Sequence, residues 1–174
     1  MKIFQPNLEQ FDAARADLAA LLLDAVADGA SLGFLAALTQ TEACAYWCEI
    51  RAAMQTDARL LWLAERDGKI VGTVQMELCQ KKNGVNRAEI QKLLVYSEAR
   101  HRGLGQQLIQ ALEQAAKQHK RGLLYLDTEA GSEAEAFYSA LGYTRVGELP
   151  NYCATPDGRY KATAIYFKTL GQPE

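Results

Sequence analysis

The stretch with the plainest chemistry is Arg100-His101-Arg102-Gly103-Leu104-Gly105-Gln106-Gln107-Leu108, which follows a strand-like run and opens a helical one. Its two glycines let the backbone turn tightly and approach a ligand closely, and the first N–H groups of a helix have no partner within it. Those donors and the helix dipole favour an anion, and Arg100 and Arg102 add positive charge beside them. In physical terms this is a pyrophosphate cradle. It is not the dinucleotide fingerprint, which wants GxGxxG after the first strand of a parallel unit, and no Gly-Lys-Ser/Thr follows to make a P-loop.

The elements that position the cradle read from periodicity. Ahead of it lies the strand-like run 87–96, and behind it Leu104, Leu108, Ile109, Leu112, Ala115 and Ala116 form one helical stripe to about His119. Gly122 ends that helix, and Leu123-Leu124-Tyr125-Leu126 reads as a strand buried on both faces. Strand, helix, strand implies a right-handed crossover and one parallel pairing in an otherwise antiparallel sheet. Before this unit, 60–65 and 69–78 form a hairpin around Arg66-Asp67-Gly68, and Asn83-Gly84 marks another reversal. A last helix covers 132–141, followed by strands at 143–148 and 162–168.

The N-terminal third is helical, with Asn7 as cap and Leu8, Phe11, Leu18, Leu21, Leu22, Ala25 and Val26 at three- and four-residue spacing, stopping near Gly29. A second helix starts at Thr39 or Thr41, with Thr41 as the expected cap, and runs to about Gln55. Between them, 30–35 is a glycine-bracketed apolar loop of the kind that folds over something.

Composition bounds the partners. The chain has 174 residues, 49% apolar and 23% charged, enough for one globular domain over 1–174 with a core that needs neither disulfides nor metal. Its formal charge is −2, so no global positive field draws nucleic acid or anionic membrane. The apolar run 18–26 is interrupted by Asp24, too short for a membrane span, and the N-terminus lacks a secretory pattern, so the expected location is cytoplasmic. Cys44, Cys48, Cys79 and Cys153 form no CxxC pair. Cys44 and Cys48, four apart on a helix, face one side and in principle share a metal, but the burial statistics of free cysteine favour buried or half-buried thiols acting as small hydrophobes. No metal is expected. Trp47, Trp62 and the aromatics of 152–160 read as core or sheet-face residues, with 151–160 also able to rim a pocket.

Arg-x-x-Gly-x-Gly after Leu93-Leu94-Val95-Tyr96, then helix, strand and Ala134-Glu135-Ala136-Phe137-Tyr138-Ser139-Ala140-Leu141-Gly142-Tyr143, resembles the GNAT superfamily of acetyl-CoA-dependent N-acetyltransferases over about residues 58 to 168. Within it, 28–35, 87–93 and Leu126-Asp127-Thr128 look like the tabtoxin-resistance acetyltransferase branch. The resemblance implies an α/β (α+β) fold: a mixed, mostly antiparallel sheet flanked by about four helices and splayed into a V between its fourth and fifth strands, 87–96 and 123–128. Acetyl-CoA is expected in that opening, its pyrophosphate on the backbone of residues 102 to 107 and its pantetheine along Leu93, Leu94 and Val95 as an added strand. A bulge in the fourth strand is expected to aim one N–H at the thioester oxygen. Two positions depart from the superfamily pattern: Gly131-Ser132 stands where Asn is frequent, and Ser97 where Pro is frequent.

Acetyl transfer needs a deprotonated amine, a stabilised oxyanion and a proton for the departing thiolate. Glu89 and Asp127, on the two strands that meet at the V, are the implied base, direct or through water, and attract a cationic acceptor. Tyr138 matches the tyrosine that protonates the CoA sulfur in many GNAT enzymes. Ser31 and Phe34, with Leu35, lie where the superfamily builds its acceptor pocket. The expected protein is an N-acetyltransferase for a small amine, amino-acid-like or antibiotic- or toxin-like, monomeric or homodimeric. Non-catalytic acyl-CoA binding and acetylation of a protein N-terminus or lysine are the alternatives.

Overall fold

The computed structural model describes residues 1–30 and 32–171. The chain runs β1 (Lys2–Phe4), α1 (Leu8–Ala27), α2 (Gln40–Met54), β2 (Arg59–Arg66), β3 (Lys69–Leu78), β4 (Arg87–Val95), a 3₁₀ turn (Ser97–Ala99), α3 (Leu104–Gln118), β5 (Leu123–Glu129), α4 (Glu133–Ala140), β6 (Thr144–Ala154) and β7 (Tyr160–Thr169). The strands form one sheet in the order β1-β2-β3-β4-β5-β7-β6. β4 and β5 pair parallel and the other neighbours antiparallel, as a crossover through α3 requires. The mixed sheet with its helices on both faces is the architecture the resemblance implied.

Two cores lie on opposite faces. On one, Leu60, Trp62, Val74, Met76, Ala88 and Ile90 pack against Leu104, Leu108 and Leu112 of α3. On the other, Leu61, Leu63, Ile70 and Leu94 pack against α1 and α2, around fully buried Phe11 and Trp47. Trp47 donates to the Leu18 carbonyl at 2.9 Å, and Arg51 binds Asp12 through two nitrogens at 2.8 and 2.7 Å, which fixes α2 on α1.

Several expectations hold and several need correcting. Asn7 caps α1, and Asp67 and Gly68, both at positive φ, turn the β2–β3 hairpin. The cap of α2 is Thr39 and not Thr41: Thr39 accepts from Glu42 N–H at 3.2 Å while the Glu42 carboxylate accepts from Thr39 N–H at 2.8 Å, a reciprocal capping box. Cys44 and Cys48 are exposed, because they lie on α2 away from the face that buries Ala43, Trp47 and Ile50. Trp47 and Trp62 are core residues, but Tyr152 (53% exposed) and Tyr160 (69%) are not, since β6 is an edge strand and β7 carries Tyr160 at its very start. The strand 123–126 is buried on one face only: Leu124 and Leu126 enter the core while Tyr125 lines an open cavity. β6 extends to Ala154, well past 148, and the short β1 had no counterpart in the sequence pattern.

Candidate active site

The β4–β5 ladder begins at Arg87 opposite Leu123 and stops at Glu89 opposite Tyr125, although β4 continues to Val95 and β5 to Glu129. Beyond that pair the strands diverge, and the β5-facing edge of β4 is left without a partner strand. This is the V. Within it, the β3–β4 register shifts between Thr73, opposite Leu94, and Gln75, opposite Gln91, so two β4 residues, Lys92 and Leu93, face Val74 alone. Lys92 takes up the extra residue at φ 50. The bulge also switches side-chain parity: Ala88 and Ile90 face α3, whereas Leu94 faces α1 and α2.

At the mouth of the opening, Gly103 begins α3 at φ 75 with no side-chain cap, and the first turn carries no acidic residue. The first helical bond is Gln107 N–H to the Gly103 carbonyl at 3.1 Å, so the N–H groups of Leu104, Gly105 and Gln106 precede the ladder. A Cβ built on Gly103 meets nothing within 4 Å, while one on Gly105 comes to 3.3 Å from Phe137 Cζ. Gly103 therefore supplies the turn, and Gly105 lets α3 sit close on α4. His101, Arg102, Gln106 and Gln107 are exposed around this terminus. Arg100 is held differently: it pairs with Asp28 and donates Nε to the Val95 carbonyl at 3.0 Å. Ser97 is fixed by Asp24 through its N–H and hydroxyl, both 2.9 Å. Asp24 and Asp28, missed in the sequence, bolt the approach to the cradle onto α1.

On the α1/α2 face, strand register aligns Arg59, Glu77, Glu89 and Tyr125 in one row across four strands. Arg59 donates to Glu77 (2.5 Å), Gln75 (2.9 Å) and Gln91 (2.5 Å), and Gln75 donates to Tyr46 Oη at 3.0 Å. Gln75 is fully buried, so the network is built into the sheet. Arg59, Gln75, Glu77, Gln91 and Tyr46 were not singled out in the sequence; polar residues at alternate positions of three neighbouring strands were the available signal. Phe34 is half-buried edge-on to Tyr46, with centroids 5.5 Å apart, behind this network and outside the cavity lining. Ser31 lies outside the described residues.

Beyond the row, Glu89, Tyr125, Asp127, Leu149, Tyr152 and Thr163 line an open cavity of about 240 Å³. The structure thus brings Glu89 and Asp127 to one cavity. Tyr125 donates to Glu89 at 3.3 Å and Thr163 to Asp127 at 2.8 Å. Burial raises the Glu89 carboxyl above the ordinary range, Glu77 and Asp127 push the same way, and hydrogen bonds from Gln91 and Tyr125 pull it back. Asp127 is exposed, and Tyr152, which the 151–160 segment brings to the rim, has its phenol raised chiefly by the Asp127 charge. Tyr138 is buried beneath the sheet, edge-on to Tyr143 with centroids 5.6 Å apart, and burial with the Asp127 charge drives its phenol well above the usual range.

This combination of splayed strands, bulge and uncapped helix agrees with the comparisons to known proteins. The model of the acetyltransferase (GNAT) family matches residues 35–143. The chain belongs to the GNAT acetyltransferase family. It is 27% identical over 97 residues to a Lactobacillus delbrueckii subsp. lactis protein named as an uncharacterised N-acetyltransferase in the pepI 3′ region, covering 53% of this chain and 56% of that protein. The chain thus spans little more than half the length of that curated relative. An N-acetyltransferase from Staphylococcus aureus Mu50 superposes with TM-score 0.79 at 20% identity, covering 98% of both chains. The yncA structure from Salmonella typhimurium, with its cofactor acetyl-CoA, superposes with TM-score 0.80 at 17% identity over 99% of this chain and 95% of that one. Both share the GNAT fold with this chain. Among the described residues no cluster of three or more His, Cys, Asp or Glu is placed to hold a metal, and no helix is long and apolar enough to cross a membrane.

Proposed function

We propose that residues 1–174 act as one acetyl-CoA-dependent N-acetyltransferase domain that transfers acetyl directly to the amine of a small molecule. The observation that carries this reading is the divergence of β4 and β5 beyond Glu89 and Tyr125, with the uncapped start of α3 on one side and the Glu89–Asp127 cavity on the other. Acetyl-CoA supplies the acetyl group as a thioester, and the chain's open features fit it: a glycine-floored anion cradle, a free strand edge and a bulge. The N–H groups of residues 102 to 106, with His101, Arg102 and the Gln107 side chain beside them, hold the pyrophosphate, the Gln107 N–H being taken by the Gly103 carbonyl; Arg100 acts mainly by fixing the cradle to α1. The free edge of Leu93, Leu94 and Val95 takes the pantetheine as an added strand, and the bulge at Lys92 and Leu93 presents an N–H to the thioester oxygen.

Glu89, whose raised pKa brings it closer to neutral, takes the proton of the acceptor amine, and exposed Asp127 draws that amine in and relays protons through water. Tyr138, kept in its phenol form by burial, donates to the leaving sulfur. Phe34, behind Tyr46, shapes the acceptor side. The likeness of 28–35, 87–93 and 126–128 to the tabtoxin-resistance branch supports an amino-acid-like or toxin-like acceptor. The family, the near-zero net charge and the described helices support a cytoplasmic enzyme, monomeric or homodimeric, without nucleic-acid or membrane partners.

A panel of amines, amino acids, aminoglycosides and peptides, read by release of the CoA thiol, tests the reading. Turnover of a small amine is expected. Binding of acetyl-CoA without turnover of any acceptor means a sensor domain, and turnover of peptides alone means a protein acetyltransferase.

A further inference from the structure

The chain carries an amine of its own at this site. Lys92 sits on the β4 bulge at φ 50, is half-buried, and makes no close ion pair among the described residues. Its side chain lies within the fields of Asp127 on β5, Arg59 on β2, Glu89 on its own strand and Cys153 on β6. Groups from both sides of the V therefore act on this half-buried side chain, which the bulge seats where β4 parts from β5. Burial lowers its pKa below that of an ordinary lysine, as does Arg59, while Asp127 and Glu89 oppose them. A lysine so placed is partly withdrawn from water, as the exposed Lys81, Lys82 and Lys120 are not, and its neutral form is the nucleophile.

We propose that Lys92 is an internal acceptor: with acetyl-CoA bound and no small amine in the cavity, its Nζ takes the acetyl group. This rests on the acetyl-CoA reading above. The Lys92 ammonium first passes one proton to the Glu89–Asp127 pair, and the freed lone pair attacks the thioester carbonyl. The C–N bond forms as the C–S bond breaks, the sulfur leaves as the thiol with a proton from Tyr138, and of the two protons shed by nitrogen one, relayed from the carboxylates through water, restores the Tyr138 phenol while the other goes to solvent. The products are Nε-acetyl-Lys92, CoA thiol and one proton. The modification removes a positive charge beside the carboxylates and places a neutral amide in the opening, so it limits the enzyme when acceptor is scarce.

The full chain, incubated with acetyl-CoA alone, is digested and analysed by mass spectrometry, with acetyl-CoA binding followed by calorimetry on the same sample. One acetyl group is expected on Lys92, accumulating at least about tenfold faster than on Lys81 or Lys120. Glu89→Gln is expected to slow it by roughly 10²-fold, and a saturating good acceptor to suppress it. If acetyl-CoA binds and small amines turn over while Lys92 stays unmodified, or reacts no faster than Lys81, the proposal is overturned and the function stands. Unmodified Lys92 with a raised KM for carboxylate-bearing amines in Lys92→Met assigns the residue to acceptor recognition instead. Absence of acetyl-CoA binding overturns both.

Discussion

Replacing Glu89 with Gln separates catalysis from stability, because the same surroundings act on both in opposite directions. Glu89 stands in the row Arg59, Glu77, Glu89, Tyr125, half-buried, with Glu77 and Asp127 as like charges nearby. Gln keeps an oxygen for the Tyr125 hydroxyl, which lies 3.3 Å away, and loses only the titrating charge. Loss of a general base lowers kcat by roughly 10²–10⁴-fold. For stability, the folded pKa is raised above 4.5, so between 4.5 and the raised value the folded chain binds more protons than the unfolded chain. Stability contributed by neutral Glu89 is therefore present below 4.5 and lost as pH rises through the folded value. Glu89→Gln abolishes that loss, so its Tm at neutral pH rises above wild type, and each kcal/mol recovered is worth roughly 2–4 °C in a chain of this size. CoA-thiol release against pH and thermal melts against pH measure the two effects. An unchanged kcat with the best acceptor, or a neutral-pH Tm below wild type, refutes the reasoning.

Other substitutions probe the remaining parts. Gly103→Val forces a β-branched residue to φ 75, costing about 1–2 kcal/mol of stability, and acetyl-CoA affinity falls at least about two- to fivefold, the worth of one modest anion contact; normal affinity in calorimetry excludes the cradle. Tyr138→Phe keeps the ring against Tyr143 and Tyr166, so the melt barely moves while kcat falls about 10²-fold. Glu135, held to about 2 by the Tyr166 hydroxyl, the Gly131 N–H and Arg145, contributes stability above its ordinary 4.5 that is lost as pH falls towards 2. Glu135→Gln should flatten the dependence of Tm on pH within that window. Gly72→Ala puts a methyl 3.2 Å from both Leu108 Cδ1 and the Leu94 carbonyl, so Tm drops as α3 is pushed from the sheet.

Most of the scaffold was legible because its signals are local. The Leu104–Ala116 stripe, Asp67-Gly68 and the glycines at 103 and 105 each specify their geometry within a few residues. The three residues of β1 are too few to show a period, and α2's cap depended on which threonine Glu42 reached. The bulge was expected from family resemblance, but its seat at Lys92 was not readable, since lysine carries no preference for positive φ. The polar row was hidden for another reason. Arg59, Glu77 and Glu89 are far apart in sequence and meet only through strand register, so each looks like an ordinary surface charge until the sheet is assembled.

The most direct measurement is the position of CoA in a crystal of its complex with this chain. The account predicts the pyrophosphate on the N–H groups of residues 102 to 106 and the pantetheine along the free edge of β4 at Leu93, Leu94 and Val95, with the sulfur between the Lys92 bulge and Tyr138. CoA bound elsewhere, with the opening between β4 and β5 empty, contradicts it.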